Sequence, residues 1–472
     1  MIKNIIQKEL AEYKQNSHLK WIVVFIYLLF AVALFTGIQY YQKTNTGSKA
    51  AQKASYKQWL AQGKKNPHSA SHYGFYAYKP LSPLALMDKG MEGYLGQAVW
   101  LEAHNQNEVK EREADDAGSI VRFGNLTVAF IFQFLLPLAI ILLGFNLFSK
   151  EKEYGTLPLL LSSSASIWQL FKGKAAALYR LVLYIFLPMF VVTFISILLF
   201  TGFAEWLNVL PHILFLLILY LLYVGLWVLL SLYISSFAKQ SSVALVGLLA
   251  FWVFSTFFIS RIGSVVAKSA VPTPSSFQFS HNIRLDNEMG IDRKTPANLR
   301  QKAFEDSLLK KYSVDSISQL PLNIRGLNLQ RGEDYGYLIF EKNYGGLEAD
   351  YLKQNAIMNW LNVLSPPQSI RSISAGVSGT DINKHIHFAE QAELHRRLIA
   401  TTMNDDITRN SVGINNYEVS PDFWKNVPPF QYTSPSLLLV LPQQLISIVS
   451  LLSWLGILWL LLKKRAEQIT GL

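Results

Sequence analysis

Residues 126–148 read LTVAFIFQFLLPLAIILLGFNLF, and residues 149–174 continue SKEKEYGTLPLLLSSSASIWQLFKGK. The first block holds no Asp, Glu, Lys or Arg. A helix of about 20 such residues crosses the hydrocarbon of a bilayer. The second block is polar, too short to be a domain, and patterned. Glu151 and Glu153 open it, Gly155 and Thr156 punctuate it, residues 157–161 form an apolar patch from Leu157, and Lys172 and Lys174 close it. A plain connector between two spans needs none of this, so the stretch reads as a docking element.

Outward from there, the apolar blocks recur at 21–41, 181–200, 212–234, 243–259 and 437–462. Six spans make the chain an all-α membrane protein. The composition agrees, with 51% hydrophobic and only 16% charged residues. The first block follows twenty residues and lacks a small-residue cleavage site, so it is expected to stay as an anchor. Segments 1–20, 149–180, 235–242 and 463–472 together hold 13 Lys/Arg against 5 Asp/Glu, whereas the remainder holds 30 against 27. That bias is expected to place both termini in the cytoplasm and makes the net charge of +11 mostly a topology signal. A nucleic-acid partner is excluded, because the polar parts carry no basic stripe with interleaved aromatics. With no cysteine, disulfides, thiolate metal sites and cysteine nucleophiles are excluded as well.

Residues 2–14 place Ile2, Ile5, Ile6, Leu10 and Tyr13 near one helical face, the pattern of an amphipathic helix lying in the lipid interface. Two segments, 42–124 and 263–434, leave the membrane on the outer side and are too long to be linkers. Helices are expected over 297–311, 347–364 and 380–403, the last capped by Thr380 or Asp381. Ser420 before Pro421 starts another, with Phe423, Trp424 and Phe430 as an interfacial aromatic belt. No period-two alternation stands out, so both insertions are expected to build one mainly helical extracytoplasmic domain. The 271–276 run is the nearest thing to a flexible linker.

The absences narrow the function. The six blocks contain no Asp, Glu, Lys or Arg, and His212 sits at the end of one, which disfavours an ion-coupled carrier and an intramembrane protease. The chain has no GxxxxGK[ST] phosphate loop and so is not its own ATPase by that route. No nucleophile–base spacing or carboxylate pair points to an enzyme.

The 150–174 stretch, with its acidic-Gly-Thr-Leu signature, resembles the coupling region of ABC-2-type permeases. Two further blocks, HYGFYAYKPLSPLALMDKGMEGYLGQAVWLEAHNQNE (72–108) and SPPQSIRSISAGVSGTDINKHIHFAEQAELHRR (365–397), are similar to a bacterial permease family with large extracytoplasmic insertions. Its members are often labelled permeases for multi-copper-enzyme maturation. The resemblance implies six spans of ABC-2 type, a homo- or heterodimer of permeases, and two cytoplasmic ABC ATPase subunits that bind ATP and Mg; this chain needs no cofactor of its own. It also implies that the N-terminal helix shares the ATPase contact, and it leaves room for an extracytoplasmic protein partner.

For copper the residues are thin, with seven methionines in no rich run. His385, His387 and His395, with Glu390, form the one ligand-like cluster, but 387 and 395 share a helix face while 385 points elsewhere. A packing role competes with the metal role there, and His68 with His72 is a weaker pair. Gly74, Pro80, Pro83, Gly90, Gly376 and Gly379 read as turn and packing positions. The function expected is the membrane subunit of an ATP-driven export complex in which Glu153, Gly155, Thr156 and Leu157 dock the ATPase, with Glu151, Lys172 and Lys174 beside them. The alternative is a mechanical transmitter or scaffold that works on an outer partner and moves no solute.

Overall fold

The computed structural model describes residues 1–15, 17–116, 126–162, 166–202 and 206–470. In chain order its main helices are α1 (Ile2–Gln15), α2 (Ser17–Leu60), α3 (Val128–Glu153), α4 (Ile167–Thr201), α5 (Trp206–Phe237) and α6 (Ser241–Ala270). They continue with α7 (Ser276–Met289), α8 (Ala297–Tyr312), α9 (Ile324–Leu361), α10 (Pro366–Ser378), α11 (Ile382–Asn410) and α12 (Leu437–Ile469). Helices α2 to α6 and α12 are long and apolar enough to cross a membrane, which fits a multi-pass membrane protein. Each overlaps one of the apolar blocks.

Helix α4 overruns its block because a cap, not hydropathy, sets its start. The Ser166 side chain accepts from the Gln169 backbone N–H, and the Gln169 side chain returns the bond, in a capping box that starts α4 at Ile167. Most of the second half of the 149–180 segment is therefore the first turns of a span helix rather than a loop. At the centre of the bundle, 72% of the α3 apolar window is buried, against 22% for α2. The outward faces carry Trp21, Phe25, Leu28 and Phe35, the kind of side chain lipid covers.

The inserted segments share one core. Trp59 at the end of α2 meets Trp424, Phe75, Phe388, Ile399 and Met403. Trp59 Nε1 donates to the Trp424 carbonyl at 3.0 Å, and Trp424 Nε1 donates to that of Gly63 at 3.0 Å. Three expectations need correction here. First, Phe75–Tyr78 (β1) and Ala98–Leu101 (β2) form an antiparallel hairpin with Phe75 opposite Leu101. Only four residues alternate on each strand, too few to stand out from the surrounding sequence. Second, Trp424 and Phe430 are buried in this core, so they are not a lipid-facing belt, and Pro421–Asn426 is a 3-10 turn. Third, α9 begins at Ile324, well before residue 347, because Asn323 accepts from the Arg325 N–H at 2.9 Å and α9 packs along α11. Helix α11 takes Asp381, not Thr380, as its cap, accepting from Lys384 N–H at 3.2 Å.

Helix α10 does not stay with the inserted domain. Ten of its thirteen residues are buried, and it packs among α5, α12 and the π-helical turn Phe254–Phe258 of α6. Ile370, Ile373 and Val377 make its apolar face, and Ser365, Ser369, Ser374 and Ser378 allow close approach. Residues 81–87 from the first insertion enter the same bundle core.

Candidate functional site

At the α1 end of the bundle, α1 lies against α4. A Cβ at Gly173 would sit 2.6 Å from Ile5 Cγ2, so only glycine lets the two helices meet there. Tyr13 OH donates to the Leu143 carbonyl at 2.9 Å. Between the helices Lys174, its side chain 4% exposed, reaches Glu9 Oε1 at 2.7 Å and Glu151 Oε1 at 2.9 Å. Thr156 Oγ1 donates to the other Glu151 oxygen at 2.6 Å. Lys8 and Lys150 lie 3.2 and 2.9 Å from Glu12. Three cations and three carboxylates thus balance across α1, α3 and α4. Partial burial pushes the Glu12 carboxyl up, but the Lys150 and Lys8 hydrogen bonds outweigh it and hold the group below the usual range.

This arrangement divides the stretch singled out from sequence. Glu151 and Lys174 are internal fasteners with no free surface to dock anything. Glu153 is exposed and its Oε2 accepts from the Ser241 N–H at 3.0 Å, closing the start of α6. Lys172 lies over the Trp168 ring at 5.6 Å. Leu157 is partly buried against the bundle core, while Thr156 serves Glu151. What projects is a tip: Gly155 at φ +67°, with Tyr154 and Leu159 each 72% exposed. The left-handed turn at Gly155 reverses the chain between Ser149–Glu153 and Leu157–Ser162. Sequence reasoning did not single out Glu9 or Tyr154, and Leu159 entered only as part of the 157–161 apolar patch.

A second polar layer lies at the insertion end. Asp88, buried just past residues 81–87, accepts from Ser374 Oγ of α10, from Gln133 Nε2 of α3 at 3.3 Å, and from the Gly90 N–H at 3.0 Å. Tyr220 OH of α5 donates to Ser374 Oγ at 2.9 Å and accepts from Gln133 Nε2 at 3.0 Å. The spans carry no acidic or basic side chain of their own in this layer, yet the insertion delivers one to them. Along α5, Tyr220 stands about 22 Å at a 1.5 Å rise from Ser235, whose Oγ accepts from the Ser149 N–H at 3.0 Å near the α1 end, less than the roughly 30 Å of a hydrocarbon layer. The available signal was a lone Asp at the end of the apolar run 81–87.

The expected histidine cluster does not assemble. Burial first, then Lys79 and Arg112, push His385 down to about 3. His387 Nδ1 pairs with Tyr432 OH at 3.1 Å, and His395 packs between Phe75 and Phe430. Three environments on one helix leave no shared ligand position.

A protein-family model described as "Domain of unknown function (DUF3526)" matches residues 283–433, within the second insertion. No curated protein matches the chain.

Proposed function

We propose that this chain is the membrane subunit of an ATP-driven, export-type complex whose ATPase is a separate subunit at the α1 end. The supporting observation is the Lys174–Glu9–Glu151 network, which welds α1 to α4 and leaves an apolar tip at Tyr154, Gly155 and Leu159 projecting from a polar surface. Exposed apolar tips of this kind mark interaction sites. Closure of two ATPase subunits on ATP and Mg would push the tip and α1 together, and α4 would carry the movement into the bundle. The family likeness of residues 150–174 points the same way.

A mechanical transmitter is the second function supported, by α2. This one helix of 44 residues runs about 66 Å from α1 to Trp59 in the core of the inserted domain. The bundle interior is filled by Tyr220, Tyr223 and Trp227. In this reading movement at the tip reaches an outer partner without a solute path.

The absence of cysteine makes Leu159→Cys a unique thiol. A thiol-to-amine crosslinker on that variant in native membranes should capture a nucleotide-binding protein, and Leu159→Asp should lose it from mild-detergent purifications while still inserting normally. Purification of the wild-type chain with no ATPase, crosslinked or free, defeats the proposal.

A further inference from the structure

We propose that His68, His72 and His104 form a divalent transition-metal site of the zinc type on the inserted domain. Among the described residues they are the one set of three His, Asp or Glu side chains that brings a ligand atom from each within 4.8 Å of the others. The site is independent of the ATPase proposal and uses none of the three histidines of α11.

Local structure builds it. Asn66 Oδ1 accepts from the His68 N–H at 3.0 Å and starts the short helix Pro67–Ser71. That turn puts His68 and His72 on one side, four residues apart. Their Nε2 atoms stand 3.2 Å apart. Two ligands of a tetrahedral ion with metal–nitrogen bonds of about 2.0–2.1 Å are separated by about 3.3 Å, so this pair already has ligand spacing. His104 follows β2 in a left-handed conformation, φ +69°, which few residues other than glycine adopt. Its ring centroid lies 5.1 Å from that of His68 and 4.9 Å from that of His72.

Glu333 explains why His104 is held that way. Its buried Oε1 accepts from the His104 backbone N–H at 2.9 Å and lies 2.6 Å from Nδ1. Arg396 Nη1 holds the other oxygen at 3.4 Å. A carboxylate on Nδ1 directs Nε2 outward as the ligand and raises its basicity, the usual second partner of a metal-bound imidazole. Closing the triangle needs His104 to swing by at most about 1.5 Å from the 4.8 Å limit to ligand spacing. Arg325 faces His68 and opposes a dication, while Glu333 offsets it.

The donor set decides the ion. Three imidazoles suit zinc, copper(II) or nickel, whereas magnesium and calcium require oxygen ligands. Three protein ligands leave a fourth position, and His72 and His104 are exposed, so the ion would be exchangeable or would bridge to a partner's side chain.

The test uses the full chain in detergent, purified on a tag without histidine, with Zn²⁺ titrated against a chromophoric chelator. One equivalent should bind. His72→Ala and His104→Ala should each weaken binding by at least about 10-fold, and Glu333→Gln by about 10- to 100-fold with stoichiometry kept. His385→Ala should bind as the wild type does. Co²⁺ in place of zinc should give the strong visible bands of a tetrahedral site. His72 is exposed, so its variant tests the site without threatening the fold, which an unchanged melting temperature without metal verifies. Wild-type chain that binds no equivalent of Zn²⁺, or unchanged affinity in a folded His72→Ala chain, overturns the site and leaves three histidine rings packed together on the inserted domain.

Discussion

The two ends of the bundle are fastened by different electrostatics. At the α1 end six charges cancel within one network, with Lys174 buried between Glu9 and Glu151. At the insertion end one buried carboxylate, Asp88, is satisfied by a hydroxyl, an amide and a backbone N–H without a contacting cation. A balanced network holds firmly but depends on every member, because removal of one charge strands the others in a poor solvent for ions. A carboxylate held by neutral donors loses less when it is replaced, since the donors are weaker and each can turn to another partner. The difference suits a stiff joint at one end and a more adaptable one at the other.

Breaking the joints should follow that order. Lys174→Met leaves the buried Glu9 and Glu151 carboxylates with only Lys8, at 3.9 and 3.8 Å, as a cation, and thermal unfolding in detergent should show a loss of about 3–5 kcal/mol. Protease should then cut the variant between α1 and α2 and spare the wild type under the same conditions. A loss below about 1 kcal/mol would mean that the network is a surface-like pair of little weight. Asp88→Ala strands the Ser374, Gln133 and Gly90 donors, for a smaller loss of about 2–3 kcal/mol. Asp88→Asn, which keeps one acceptor, should cost roughly half as much. Equal losses for Lys174→Met and Asp88→Ala would erase the contrast.

The smallest effect sharpens the comparison with a third carboxyl that has neither a cation nor donors. In the inserted domain, burial of Glu348, with Glu390 beside it, pushes its carboxyl up to about 7 from an ordinary 4.5. The folded chain keeps a proton that the unfolded chain releases. The domain therefore loses stability as pH rises from 4.5 to about 7, and the loss is complete above that. Glu348→Gln should raise the melting temperature by about 2–4 °C at pH 8 and change little at pH 4. An equal shift at both pH values would show that packing, not ionisation, is responsible.

Much of the fold was legible because lipid imposes a simple rule. A segment that crosses it must be about 20 apolar residues long, and all six blocks meet that rule within helices of suitable length. The hairpin at Phe75–Tyr78 escaped because its four residues carry too little pattern. Trp424 escaped because an aromatic residue beside a span looks the same in sequence whether it faces lipid or a core. Gly155 was recognisable as a point of punctuation, since glycine takes without strain the left-handed conformation found there. The burial of Glu151 and Lys174 was not, because an acid and a base in a short polar stretch ordinarily stay in water.

Sequence alone determined the helical membrane class, the six apolar blocks, the absence of cysteine chemistry and of a phosphate loop, and the patterned stretch after α3. These follow from composition and spacing, which every conformation shares. Tertiary structure decided what meets what. It brought Glu9 to Lys174, Asp88 and α10 into the bundle, and His104 and Glu333 to His68 and His72. It also kept His385, His387 and His395 apart. The meeting of Asp88 and Ser374 joins residues 286 positions apart in the chain. Local pattern cannot encode such meetings, because the close packing of helices selects the partners only when the whole bundle forms.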